Sequence, residues 1–218
     1  MRKTFFTLLI LAPLFVFTQK DNTETKSSSK TKNFYVGLKG GINFSNVSNA
    51  SSISSSNQTG YHAGVLANIG GKLIGFRLEV LYSHQGFGYK TDSSSGSNTQ
   101  DYISLSELLA INITRFVQLQ VGGQTGYLLH AKTMSNNQST GNATADQILS
   151  YYNRFDYGFG GGVEVHPIAG LLIGARYNIS LSNLYKNAFS NSSGSGGSYS
   201  PNVDFKNNVV QVFIGYRI

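Results

Sequence analysis

From residue 33 to the last residue, apolar side chains recur at every second position in eight separate runs. Successive side chains of a β-strand point to opposite faces, so each run describes a ribbon with one apolar and one polar face. In the first run Phe34, Val36, Leu38, Ile42 and Phe44 share one parity, and Tyr35, Gly37, Lys39, Gly41 and Asn43 the other. The second places Tyr61, Ala63, Val65, Ala67 and Ile69 together. The third sets Ile74, Phe76, Leu78, Val80 and Tyr82 against Arg77, Glu79 and Ser83. In the fourth, over residues 101–111, Glu107 falls among Ile103, Leu105, Leu109 and Ile111. The fifth has Val117, Leu119, Val121, Thr125, Tyr127 and Leu129 opposite Gln118, Gln120, Gly122 and Gln124. The sixth opposes Phe155, Tyr157, Phe159, Val163 and Val165 to Asp156, Gly158, Gly160, Gly162 and Glu164. The seventh sets Leu171, Ile173, Ala175, Tyr177 and Ile179 against Gly174, Arg176 and Asn178. The eighth sets Val210, Val212, Ile214, Tyr216 and Ile218 against Gln211, Gly215 and Arg217.

The connections alternate in length. Those near 70–72, 112–115 and 166–170 are short, and those near 45–59, 91–100, 132–150 and 183–205 are long and rich in Ser, Asn and Gly. Short turns at one end and long loops at the other describe an antiparallel barrel. Each run approaches the roughly 9–11 residues that a tilted strand needs to cross a bilayer. The expected fold is therefore all-β: an eight-stranded antiparallel transmembrane β-barrel over residues 33–218.

A soluble barrel of the lipocalin type also alternates, but with its apolar face inward. Three features favour a membrane. The polar face is rich in glycine and carries both signs of charge, which suits a narrow filled lumen. Tyrosines gather toward the ends of the apolar face, as at a bilayer interface. The last strand runs to the final residue, as in barrels recognised at that end by an insertion machinery. Composition agrees: charged residues are 12% of the chain, about half the share of a soluble domain. No internal stretch of about 20 apolar residues offers a membrane helix instead.

Arg2 and Lys3 precede an apolar run from Phe5 to Phe17, the pattern of a secretory signal peptide over residues 1–18. Cleavage is expected near Thr18–Gln19, with Val16 and Thr18 at the small-residue positions; an uncleaved N-terminal anchor is the alternative. Residues 19–32 form a polar periplasmic linker with almost no apolar content. The absence of cysteine excludes disulfides, thiolate metal sites and a lipid-modified cysteine. The formal charge is +7, but Arg2 and Lys3 belong to the leader and Lys20, Lys26, Lys30 and Lys32 to the linker. No basic patch with interleaved aromatics follows, so a nucleic-acid partner is not expected.

The stretches GYHAGVLANI (60–69), LEVLYSHQG (78–86), LQVGGQTGYLLHAK (119–132), FDYGFGGGVEV (155–165), ARYNISL (175–181) and VVQVFIGYRI (209–218) resemble, in order and spacing, the PorT-like outer-membrane β-barrel family of Bacteroidetes. The resemblance implies a small barrel of the OmpA/OmpX general shape with no assigned activity, some relatives being linked to secretion or assembly. Glu107 stands where that family carries proline, and Ile218 replaces its terminal phenylalanine.

Lys39, Arg77, Glu79, Asp156, Glu164, Arg176 and Arg217 all fall on the predicted inner face. A bore of eight strands is just wide enough to be filled by side chains, and charges buried there must be paired. Two readings follow. One is a structural network in which Arg77 and Arg176 bridge Glu79 and the sixth-strand acids; the other is a gated ion path lined by the same groups. Glu107 faces lipid in this register, and a local bulge turning it inward is expected. His84, His130, Asp92 and Asp101 gather near the outer rim, but nothing in their spacing fixes a catalytic set. His62 is placed in the lumen and His166 in a turn before Pro167. No cofactor, metal site or catalytic residue is expected. The expected role is structural or interactive through the outer loops, with outer-membrane lipid around the barrel and an unidentified protein or glycan as a partner. The alternative is a small, porin-like pore or an accessory subunit of a transport or secretion complex.

Overall fold

The computed structural model describes residues 33–48, 54–90, 95–135, 153–183 and 206–218. The expected leader and linker lie outside them, as do the central parts of the outer loops, Asp92 included. Eight strands follow in chain order: β1 (Asn33–Ser48), β2 (Ser54–Gly70), β3 (Ile74–Lys90), β4 (Ser95–Asn112), β5 (Val117–Ser135), β6 (Phe155–Val165), β7 (Leu171–Ser180) and β8 (Lys206–Arg217). Each pairs antiparallel with its neighbours, and β1 pairs with β8 from Gly37↔Arg217 to Ser48↔Lys206, closing the barrel. Closure leaves no strand edge facing hydrocarbon, where an unpaired backbone group would cost several kcal/mol.

The burial pattern is inverted relative to a water-soluble protein. Val36, Val65, Leu119 and Val212 are 42%, 52%, 39% and 46% exposed on the outside, while Arg77 and Glu79 are 0% exposed inside. Such a contiguous apolar belt is not sustained in water. It excludes the lipocalin arrangement. Outward rings bound the belt at both ends. Tyr61, Tyr82, Tyr127, Phe155 and Tyr157 lie toward the long-loop end, with Tyr61–Tyr82 and Tyr127–Phe155 centroids 6.2 and 5.2 Å apart. Phe34, Phe116 and Tyr216 lie toward the short turns, all exposed. This is the girdle geometry of outer-membrane barrels.

Several strands run further than the alternating pattern suggests. β2 begins at Ser54, β4 at Ser95, and β5 continues to Ser135, all inside segments read from sequence as loops. Ladder hydrogen bonds hold polar sequence as well as apolar sequence, so the hydrophobic pattern stops where lipid stops and the sheet does not. β3 has 17 residues. At about 3.3 Å per residue and a tilt of roughly 40° it rises about 40 Å, against an apolar band of about 25 Å. The long-loop end therefore stands clear of the bilayer.

Two local expectations are corrected. Glu107 is not turned inward by a bulge: the β3–β4 ladder runs unbroken through Leu78↔Glu107, and β4–β5 through Glu107↔Gly123. A bulge there would reverse the parity beyond it, exposing Ser104 and Ser106, which are 4% and 1% exposed. Glu107 instead sits half-buried on the outer face beside Gly123, whose missing side chain leaves open space. Glu107→Leu is expected to stabilise the barrel by about 1 kcal/mol, since an outward carboxylate at this depth is unfavourable; urea unfolding in lipid vesicles measures it. The register shift lies instead between Asp101 and Tyr102, opposite Leu128 and His130. Leu128 keeps the inward parity of Gly126 and is fully buried, while the shift leaves Leu129 half-buried rather than outward with Tyr127 and turns His130 outward and Ala131 inward beyond it.

Candidate functional site

The lumen is closed by a lattice of charged side chains. Glu79 on β3 meets Arg176 on β7, with Nη1 and Nη2 donating at 2.8 and 3.0 Å. In a ring of eight strands, β3 and β7 are four apart in either direction, so this pair spans the full bore. Lys39 Nζ donates to the same carboxylate at 2.9 Å, and Arg77 Nη1 lies 3.7 Å from it. Arg77 in turn clamps Glu164 on β6 with two hydrogen bonds, of 2.5 and 2.8 Å. Every side chain in these pairs is 0% exposed.

Local sequence makes the room. A Cβ on Gly160 would lie 3.4 Å from the Arg176 side chain and collide with that of Asn178. A Cβ on Gly174 would stand 2.5 Å from the Phe213 ring. That ring is the face on which Lys39 Nζ rests, 3.7 Å from the centroid, a cation–π contact. The inward glycines are thus the complement of the large charged residues.

Three further groups join the lattice that the charge pattern did not single out. Gln120 Nε2 donates to Glu164 at 3.0 Å, and its carbonyl oxygen accepts from Arg176. The Tyr35 hydroxyl accepts from Arg77 Nη2 at 2.7 Å. His166, in the turn before β7, contacts Glu164 through Nε2 at 2.7 Å. Gln120 and Tyr35 were legible as inward by parity alone, whereas His166 lies outside any strand and has no parity to read.

Asp156 and Arg217 do not join it. Asp156 stands at the other end of β6 from Glu164, eight residues away or about 26 Å along the strand. It accepts hydrogen bonds from the Ser180 and Ser182 hydroxyls instead of an arginine. Arg217 lies at the short-turn mouth, its guanidinium 5.5 Å from the Tyr35 ring centroid. Toward the long loops the polar filling, Asp156 apart, consists of amide, hydroxyl and imidazole groups. Asn43 donates to Ser83 at 2.9 Å and its Oδ1 accepts from His62 Nδ1 at 2.8 Å, Gln85 accepts from Asn207 at 2.6 Å, and Gln100 donates to Asn98 at 2.7 Å.

A lipid-facing belt, twin aromatic girdles and a charged, filled bore are the features of an outer-membrane barrel, and the chain's kinships agree. The family model described as outer membrane protein beta-barrel domain matches residues 17–186. The chain belongs to that family. Members of this outer membrane protein beta-barrel domain family sit in the bacterial outer membrane, and so does this chain. Neisserial surface protein A shares the fold with a TM-score of 0.50 at 11% identity, covering 85% of this chain and 97% of that one. The Ail protein of Yersinia pestis aligns over 84% of this chain and 98% of its own, with a TM-score of 0.47 and 14% identity. No curated protein matches the chain.

For a member of this family, the outer rim was the place where the sequence raised acid–base candidates. There the structure pairs His84 Nδ1 with Asp101 Oδ1 at 2.5 Å and stacks the imidazole on Tyr61 at 5.0 Å between centroids. His130 is the register partner of Asp101 on β5 and is exposed. These groups project outward at the level of the tyrosine girdle, not into a cleft. Among the described residues no serine or threonine hydroxyl is hydrogen-bonded to His84.

Proposed function

We propose that this protein is a plugged barrel, a PorT-like member of the family, with a structural or interaction role carried by its outer loops and no catalytic activity. The observation that carries the reading is the Glu79–Arg176 pair. It crosses the bore from wall to wall, with Lys39, Arg77 and Glu164 filling what remains. A pore requires a continuous water path, and these fully buried, mutually bonded charges occupy that path. The strands that rise above the bilayer give the loops a rigid base, as recognition surfaces require.

The test is conductance in a planar lipid bilayer. The wild-type barrel is expected to give no steady ohmic current. Glu79→Ala/Arg176→Ala, which removes the cross-bore pair, is expected to open measurable steps. A wild-type barrel that conducts steadily would support the alternative reading, a small transport pore. Affinity capture from detergent-solubilised membranes separates a lone barrel from an accessory subunit of a larger complex.

A further inference from the structure

The charges at the two ends of the bore are not alike. We infer that the short-turn mouth, which faces the periplasm, is a binding site for peptide carboxylates. This goes beyond the reading of the outer loops and rests on a different part of the molecule.

The mouth is a cavity of about 880 Å³, within the range of small-ligand sites. Its fixed charges are cationic: Lys72 from the β2–β3 turn, Arg115 from the β4–β5 turn and Arg217 at the end of β8, with His166 of the β6–β7 turn beside them. No Asp or Glu side chain lines it. Among the described residues, no salt bridge joins Lys72, Arg115 or Arg217 to any carboxylate; the ion pairs all belong to Lys39, Arg77, Arg176, His84 and His166. The acid nearest the mouth, Glu164, already holds Arg77, Gln120 and His166.

Arg217 is also held in place. Its guanidinium lies over the Tyr35 ring, and Tyr35 is fixed through its hydroxyl by Arg77, itself clamped to Glu164. An aromatic face offers the guanidinium no carboxylate, so the N–H fork of Arg217 remains available to take one with two parallel hydrogen bonds. Amide groups of Asn68, Asn112 and Gln118 stand in the same wall, with Gln118 Nε2 already donating to Asn112 Oδ1 at 2.8 Å. A mouth this wide, with cations on two different turns and a strand end, does not close around one small inorganic anion. It suits a ligand whose carboxylates are spread along a chain, which is an acidic peptide. The chain's own linker is a poor occupant, because residues 20–32 carry four lysines against Asp21 and Glu24.

Titration calorimetry on the detergent-purified, folded barrel tests this, with tetraglutamate as the probe and tetraglutamine and inorganic phosphate as comparisons. Tetraglutamate is expected to saturate at one per barrel at low salt, and tetraglutamine to give no binding. Arg217→Gln is expected to weaken tetraglutamate at least about tenfold, the loss of a charge-assisted hydrogen-bonded pair. Lys72→Gln/Arg115→Gln, both in turns and outside the ladder, is expected to weaken it several-fold and to flatten its salt dependence. That double variant decides the matter if Arg217→Gln does not fold. The inference is overturned by unsaturable heats, by unchanged affinity in the variant that folds, or by phosphate binding more tightly than the peptide.

Discussion

Glu79→Gln is expected to destabilise the barrel by about 3–5 kcal/mol, the cost of removing one partner from a buried ion pair. The carboxylate of Glu79 receives Lys39 at 2.9 Å and Arg176 at 2.8 and 3.0 Å, with Arg77 at 3.7 Å. A neutral amide leaves these cations facing one another in a bore that water does not reach. Urea unfolding in lipid vesicles, followed by the loss of the fast-migrating folded band on a gel, reads the change. The direction has a control. Glu79→Gln combined with Arg176→Met removes both members of the cross-bore pair and is expected to recover part of the loss, because an uncompensated charge costs more than an absent pair. If the single variant unfolds at the wild-type urea concentration, the lattice is not what holds the bore together.

The second large effect lies on the opposite face of the same sheet. Val65 points outward, 52% exposed, midway along β2 between Tyr61 and Ile69. Val65→Arg is expected to cost about 2–4 kcal/mol, the penalty of a cation at the bilayer midplane. Phe34→Arg, on the same face but at the short-turn girdle, is expected to cost about 0–1 kcal/mol for the charge, because the guanidinium reaches headgroups and water there. The depth dependence distinguishes lipid from a protein partner covering the belt. A partner would penalise both positions alike, whereas a bilayer spares the one at its edge. Unfolding free energies of the two variants in vesicles make the comparison.

Much of this architecture is legible in one dimension. A period of two assigns Val36, Val65, Leu119 and Val212 to one face and Arg77, Glu79, Glu164 and Arg176 to the other. The alternation of short and long connections orders the strands and sets which end carries the loops. The exceptions are local. Glu107 keeps the parity that its neighbours dictate, because ladders on both sides resist a bulge. Leu129 loses its parity, because a real shift at Asp101 lets two residues of β5 face one of β4. No residue type at 101–102 announces that shift. Strand length was likewise underestimated at Ser54, Ser95 and Ser135, since apolar patterning marks the lipid layer and not the end of pairing.

Glu107 and Leu129 apart, the faces of the patterned side chains were thus settled by the sequence, because strand geometry alone decides them. The pairing of charges inside the bore was not. Arg77 and Arg176 both point inward, but that Arg176 reaches Glu79 while Arg77 takes Glu164, and that Asp156 reaches neither, depends on the height of each residue along the barrel axis. That height accumulates through the register of every ladder from β1 to β8 and through the closure of β1 on β8. No single segment contains it, and only the closed ring does.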